Sequence, residues 1–248
     1  MIMTIFFDLD DTIYDRFMPF SRAFELFFEG KMFDRAYDVF KACNLRSIKA
    51  LADMQSGEIT WNGMLVNRYK KGFADNGISI SDEQAFHFNA LYTDEQTRLK
   101  MTDTMSAILD CCKSKFEKTG IITNGNAKHQ REKITRLGLD RWITPELIII
   151  SDEHKVLKPA YEIFRRAGLA AGASPKEMIM VGDSYQTDIC GAVGFGMKAI
   201  WMNRHNESST PGKIIPDHVV HNEEELLALI CCRSFVPAEK NEDNYRKV

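Results

Sequence analysis

The sequence predicts an α/β protein whose parallel sheet is interrupted, straight after its first strand, by a helical insertion. Three observations carry this. A short apolar run at residues 1–7 ends abruptly in acids. Residues 17–96 then place apolar side chains at helical spacing and show no convincing strand. After Thr102, strand-like and helix-like segments alternate, the pattern of a parallel sheet with crossover helices on both faces.

Residues 1–7, rich in Ile and Phe, read as a fully buried strand. Phe20, Phe24, Phe27 and Phe28 recur at helical spacing, as do Val39, Leu45, Ile48, Leu51 and Ala52. Met64, Leu65, Tyr69 and Phe73 follow, then Phe86, Phe88, Leu91 and Tyr92. Gly30, Gly57 and Gly77 punctuate these runs as helix ends do. The block holds four or five helices, and its aromatic stripe reads as their shared core. Beyond it, helices are expected over 103–115, from near 126 to near 138, and over 160–170, 188–195 and 223–232. Strands are expected over 119–123, 147–151, 178–181, 198–202 and, at a sheet edge, 217–220. The resulting domains are a discontinuous core, 1–15 with 96–235, a helical insertion, 16–95, and a polar extension, 236–248. An insertion between the first strand and the rest of its sheet is where a lid on an active site belongs.

The 248-residue chain is 44% hydrophobic and 27% charged, an ordinary globular composition. A net charge of −3 and a pI of about 6.1 speak against a nucleic-acid binder, which carries a basic stripe. They leave room for an anionic substrate, because a bound metal inverts the local field. The first residues lack the basic segment and long apolar core of a signal peptide, and no apolar run reaches transmembrane length. A cytoplasmic protein is expected, monomeric or weakly dimeric, with no nucleic-acid or membrane partner. Cys43, Cys111, Cys112, Cys190, Cys231 and Cys232 show no CxxC or Cys/His zinc spacing and read as buried or half-buried thiols, with binding of a soft metal or oxidation of the adjacent pairs as the lesser alternative.

Chemistry enters at the end of the first strand. Phe7-Asp8-Leu9-Asp10-Asp11-Thr12 puts acids at a strand's carboxyl end, where open α/β sheets bind ligands. A period of two points Asp8 and Asp10 the same way. Converging carboxylates repel, and persist when a cation binds or one holds a proton. Capping acids in a loop are the plainer alternative. In Ile121-Ile122-Thr123-Asn124-Gly125, a hydroxyl, an amide and backbone N–H groups stand before a helix, which suits phosphate oxygens and equally an ordinary cap. Leu157-Lys158-Pro159 sets a lysine before a helix whose first residue is the proline. Val181-Gly182-Asp183-Ser184 ends another strand in an acid, with Asp188 five residues on, and Gly182 permits close backbone approach. Asp8 and Asp183 offer the oxygen ligands that suit Mg²⁺, which keeps several waters and takes phosphate as a further ligand.

Together these four segments resemble the haloacid dehalogenase (HAD) superfamily. The motifs are Asp8-x-Asp10-x-Thr12, Thr123 in Ile-Thr-Asn-Gly, Lys158-Pro159, and Gly182-Asp183 with Asp188, in that order. Ile189-Cys190-Gly191-Ala192 and Gly196-Met197 extend the likeness, which spans residues 5–203. The resemblance implies a Rossmann-like core with a helical cap, and a phosphatase. It implies Asp8 as nucleophile, forming an aspartyl-phosphate, and Asp10 as general acid and then base. Thr123 and Asn124 would bind the phosphoryl group. Lys158 would orient Asp8 and neutralise charge there. Asp8, Asp183 and the Asp10 backbone carbonyl would hold Mg²⁺, with Asp188 beside the metal. A free Asp titrates near ~3.9, so the surroundings of Asp10 must raise it if it is to release a proton, with Asp11 and burial as the candidates. Dehalogenases of the superfamily need no metal and lack the second aspartate, so Asp10 argues against that activity. No lysine of the insertion stands in a phosphonatase context, and Asp11 stands where β-phosphoglucomutases show glycine.

The stretch Met54-Gln55-Ser56-Gly57-Glu58-Ile59-Thr60, with the helix to Gly77, resembles the cap of bacterial pyrimidine 5′-nucleotidases. Asp10-Asp11-Thr12 and Ile200-Trp201-Met202-Asn203 are also similar to those enzymes. The expected substrate is a small phosphorylated molecule, a nucleoside 5′-monophosphate on this resemblance. The alternative is a sugar-phosphate or phosphoglycolate-type phosphatase, or a β-phosphoglucomutase-like enzyme. Tyr14, Phe17 and Trp61 are candidates to stack on a base or to pack in the core.

Overall fold

A computed structural model describes residues 3–55, 60–206 and 214–232, with side-chain surroundings for all of these except 47–55 and 61. The chain divides into two compact units, Asp15–Leu99, and Met1–Tyr14 with Lys100–Val248.

The first unit is helical: α1 (Phe17–Phe27), α2 (Ala36–Gln55), α3 (Trp61–Ala74) and α4 (Asp82–Gln96), with a 3₁₀ turn at Phe33–Arg35. The starts of α3 and α4 are capped by side chains that satisfy orphan N–H groups. The Thr60 hydroxyl accepts from Gly63 N at 3.2 Å. Ser81 and Gln84 form a reciprocal capping box. Gly30 and Gly77 follow α1 and α3 with left-handed φ of 76° and 71°, which glycine adopts without strain. Gly57 lies outside the described residues. Phe20, Phe24, Phe40, Tyr69, Phe73 and Phe88 are fully buried and form the centre of this unit. The Phe88 ring lies 5.0 Å from both Tyr69 and Phe73 and 5.1 Å from Phe20. Two expected core positions are corrected: Leu45 is 70% exposed and Phe86 42% exposed. On α4 the buried positions are Ala85, Phe88, Tyr92 and Glu95, a stripe that leaves Phe86 on the opposite face.

The second unit is a six-stranded sheet flanked by helices. Its strands are β1 (Thr4–Phe7), β2 (Lys118–Thr123), β3 (Ile148–Ile150), β4 (Met178–Gly182), β5 (Lys198–Met202) and β6 (His218–Val220). All pairings are parallel, in the order β3-β2-β1-β4-β5-β6. Parallel strands covered on both faces read as continuous apolar runs, and all four residues of β1 are buried. The helices are α5 (Asp103–Lys115), α6 (Ala127–Arg136), α7 (Ser151–His154), α8 (Tyr161–Ala171), α9 (Cys190–Phe195) and α10 (Glu223–Cys231). The helix expected over 188–195 begins instead as a π-helical turn at Tyr185–Ile189. The chain runs outward from β1 to β3, then returns to lay β4 against the other side of β1. Such a reversal leaves a crevice at the carboxyl ends of the strands. No helix among the described residues is long and apolar enough to cross a membrane.

The expectation of six free thiols is also corrected. Cys111 of α5 and Cys231 of α10 form a disulfide, with Cα atoms 5.9 Å apart, because the two helices pack side by side. Cys232 is exposed.

Candidate active site

The register sets the carboxyl ends of β1, β2 and β4 level, with Phe7 opposite both Ile121 and Val181. Asp8 follows β1, Thr123 ends β2 and Asp183 follows β4, so the three motifs meet at one edge of the sheet. The Asp8 N–H donates to Val181 O at 2.8 Å, extending the ladder by one residue and fixing where its carboxylate begins. Lys158 reaches that carboxylate from the turn before α8. Its Nζ lies 2.6 Å from Asp8 Oδ1 and 2.6 Å from Asp188 Oδ1, and donates to Ile122 O at 2.8 Å. All three charged side chains are less than 10% exposed, so one ammonium compensates two buried carboxylates.

The turn carrying Lys158 is held by Asn124. Lys158 N donates to Asn124 Oδ1 at 2.8 Å, and Asn124 Nδ2 donates to Lys158 O at 3.1 Å. The Asn124 side-chain amide therefore spends both its groups on the lysine's backbone. Pro159 is not the first helical residue: the Lys158–Pro159 peptide is cis, Ala160 is the N-cap, and α8 starts at Tyr161. Proline serves the turn ahead of the helix, where it also lacks any N–H to satisfy.

Asp8, Asp183 and Asp188 each offer a carboxylate oxygen within 4.8 Å of the others. The π-helical turn folds Asp188 back so that its Oδ2 accepts from Ser184 N at 3.0 Å. A Cβ on Gly182 would collide with that carboxylate, which is why the strand ends in glycine there. Asp183 is steadied by Trp201, whose Nε1 donates to Asp183 O at 2.7 Å. Burial pushes the Asp8 carboxyl up to about 7 against the pull of Lys158, and repulsion from Asp188 and Asp10 adds to the rise. Burial works against the charge of Lys158, but Asp188 and Asp8 outweigh it and hold its ammonium above the ordinary lysine range. A cluster of hard oxygen donors with more negative than positive charge fits a Mg²⁺ ion.

Asp10 lies in a second set of contacts. Its Oδ1 accepts from the Tyr14 hydroxyl and from Lys133 Nζ, the latter at 2.7 Å. Its Oδ2 accepts from Gln130 Nε2 at 2.8 Å. Gln130 Nε2 also donates to Thr123 Oγ1 at 2.7 Å. The structure puts the ammonium of Lys133 against Asp10. The Asp11 backbone has a positive φ of 61°. Arg204 binds this loop by its carbonyls, donating to Asp11 O and Thr12 O at 3.0 Å each, and pairs with Glu223 at 2.8 Å.

Asp8, Lys158, Asp183 and Asp188 are thus brought together, and Thr123 joins Asp10 through Gln130. Gln130, Lys133 and Arg204 were not anticipated. Gln130 and Lys133 lie three positions apart on a helix with little apolar character, so no periodic signal marks them. Of the stacking candidates, Tyr14 is 3% exposed with its hydroxyl on Asp10, and Phe17 packs on Tyr37 and Phe40. The Trp61 side chain lies outside the described residues.

Comparison with known proteins agrees with this architecture. Residues 2–196 match the haloacid dehalogenase-like hydrolase family. The pyrimidine 5′-nucleotidase YjjG of Escherichia coli is 29% identical over 231 residues, covering 92% of this chain and 97% of that one. A glyceraldehyde 3-phosphate phosphatase of Pyrococcus furiosus is 41% identical over 114 residues, and this chain spans about half (47%) of its length. The HAD-hydrolase YfnB of Bacillus subtilis, solved bound to magnesium, superposes with a TM-score of 0.69 at 22% identity, covering 92% of this chain and 98% of that one. The chain belongs to the haloacid dehalogenase-like hydrolase family.

Proposed function

We propose that the chain is a magnesium-dependent phosphomonoester hydrolase acting through an aspartyl-phosphate on Asp8. The observation that carries this reading is the buried Asp8 carboxylate, 2.6 Å from Lys158 and clustered with Asp183 and Asp188. In the first displacement an Asp8 oxygen attacks phosphorus and the ester P–O bond breaks. The electron pair leaves on the alcohol oxygen, which takes a proton from Asp10. In the second, water attacks phosphorus and gives its proton to Asp10, and the Asp8–phosphorus bond breaks to free the carboxylate. Splitting the hydrolysis in this way replaces one difficult step by two easier ones.

A dianionic phosphate repels an attacking carboxylate, and Lys158 offsets part of that repulsion while it aims Asp8. Asp8, Asp183 and the Asp10 backbone carbonyl are read as the ligands of Mg²⁺, with Asp188 pairing Lys158 beside them. Bound there, the ion supplies Lewis-acid charge for the phosphoryl oxygens. Thr123 Oγ is read as a phosphate contact. Asn124 acts through Lys158, and its backbone N–H stays available to the phosphate.

The helical unit is read as the cap that selects the leaving group. A nucleoside 5′-monophosphate is the preferred substrate, because the likeness to YjjG runs nearly the full length of both chains. A sugar-phosphate substrate is the second reading, favoured by the higher local identity to a glyceraldehyde 3-phosphate phosphatase. Phosphate release measured over both compound classes with Mg²⁺ decides between them. Higher kcat/KM on dUMP or dTMP supports the nucleotide reading; higher values on triose or hexose phosphates remove it. Asp8→Asn abolishes turnover on every substrate, and full activity in that variant removes the nucleophile assignment.

A further inference from the structure

We propose that Gln130 and Lys133 of α6 are positioning residues for Asp10, holding its carboxylate where the second displacement needs a base. The inference rests on the proposed aspartyl-phosphate chemistry and assigns to it two residues outside the four motifs.

Three observations support it. First, α6 is a polar helix, yet Gln130 is 2% and Lys133 9% exposed, while Lys128, His129 and Arg131 around them are exposed. Lysine is almost never this buried unless paired. Here the ammonium pairs with Asp10 at 2.7 Å and lies 5.9 Å from the Tyr14 ring centroid. Second, Gln130 spans two functional groups, donating from one nitrogen to Asp10 Oδ2 and to Thr123 Oγ1. The location of the proton-transfer group is thereby tied to that of a phosphate contact. Room for this side chain comes from Gly125, where φ is 152° and a Cβ would press to 3.0 Å from Gln130 Cδ. Third, both oxygens of Asp10 accept from donors, Lys133 and Tyr14 on one side and Gln130 on the other. Donors on both oxygens hold the carboxylate from two sides and fix its orientation.

A salt bridge kept only for stability does not require this arrangement, since buried pairs contribute little net stability over well-packed apolar residues. A role in positioning has a kinetic signature. p-Nitrophenolate leaves phosphorus without needing a proton, so the first displacement on p-nitrophenyl phosphate depends little on Asp10. Breakdown of the aspartyl-phosphate still needs water deprotonated.

The test is rapid-mixing kinetics of the full chain with Mg²⁺ and p-nitrophenyl phosphate, for the parent, Lys133→Met, Gln130→Met, Lys133→Arg and, as reference, Asp10→Asn. Lys133→Met and Gln130→Met are expected to lower the steady-state rate roughly tenfold to hundredfold, within the usual contribution of a general acid–base group. Each should show a burst of one p-nitrophenol per active site, as Asp10→Asn should, and Lys133→Arg should recover part of the rate. A slower rate without a burst in both methionine variants, or an unchanged rate, overturns the inference. Gln130→Met provides a second reading should Lys133→Met fold poorly, which a thermal melt reveals. Failure of the underlying chemistry looks different: the parent then shows no Mg²⁺-dependent release, or Asp8→Asn keeps it.

Discussion

Replacing Lys158 by methionine removes the cation from a site that holds two buried carboxylates. Lys158 is 4% exposed, and its ammonium lies 2.6 Å from an oxygen of Asp8 and of Asp188, which are 7% and 1% exposed. Methionine fills a similar volume, so packing changes little and the charge term dominates. Removing one partner of a buried pair costs about 3–5 kcal/mol. The cost depends on pH with a definite sign. The Asp8 carboxyl is pushed up to about 7 from 3.8 in a solvated chain. Between those values the folded state binds a proton that the unfolded state does not, so stability falls as pH rises through this window. Without Lys158, the main influence lowering Asp8, the window widens upward. Urea unfolding of metal-free protein at about pH 5 and about pH 8 measures both. The variant should lose about 3–5 kcal/mol at the higher pH and distinctly less at the lower, where Asp8 is protonated. A loss under ~1 kcal/mol at the higher pH, the scale of exposed ion pairs, or a larger loss at the lower pH, refutes the charge reasoning.

Magnesium should stabilise the folded chain by about 2.7 kcal/mol at a hundredfold excess over its Kd. The shift in melting temperature should shrink on acidification below about 7, because Asp8 must lose its proton to bind, and Asp183→Asn should abolish it. Phe88→Ala should destabilise the helical unit by about 3–5 kcal/mol, since the ring is fully buried among Phe20, Tyr69 and Phe73; denaturant unfolding followed by circular dichroism reads it.

The parts of the fold legible in the sequence were those with a one-dimensional signal. Ile148–Ile150 and the apolar stretch of β4 show as strands because parallel strands buried on both faces leave no polar alternation. Leu45 and Phe86 misled because helical spacing shows that apolar residues recur, not which of them face the neighbouring helices. In the site, Asp8, Thr123 and Asp183 stood out because they close strand runs, and Lys158 because of its place in their order. Lys133 and Gln130 did not, because their partner Asp10 lies 123 and 120 positions away. The Asn124 side chain's grip on the Lys158 backbone was not legible, because its two partners lie 34 positions away. The Cys111–Cys231 bond closes 120 residues and becomes visible only when α5 packs on α10.

The central claim is that Asp8 carries the phosphoryl group. Acid-quenching the enzyme during turnover with Mg²⁺ and p-nitrophenyl phosphate, reducing the acyl-phosphate with borohydride and sequencing the N-terminal peptide by mass spectrometry tests it at one atom. Homoserine at position 8, strongest in Asp10→Asn where breakdown of the intermediate is slowed, is the predicted result. Intact aspartate at position 8 alongside a modified residue elsewhere, in an enzyme that is turning over, contradicts the account.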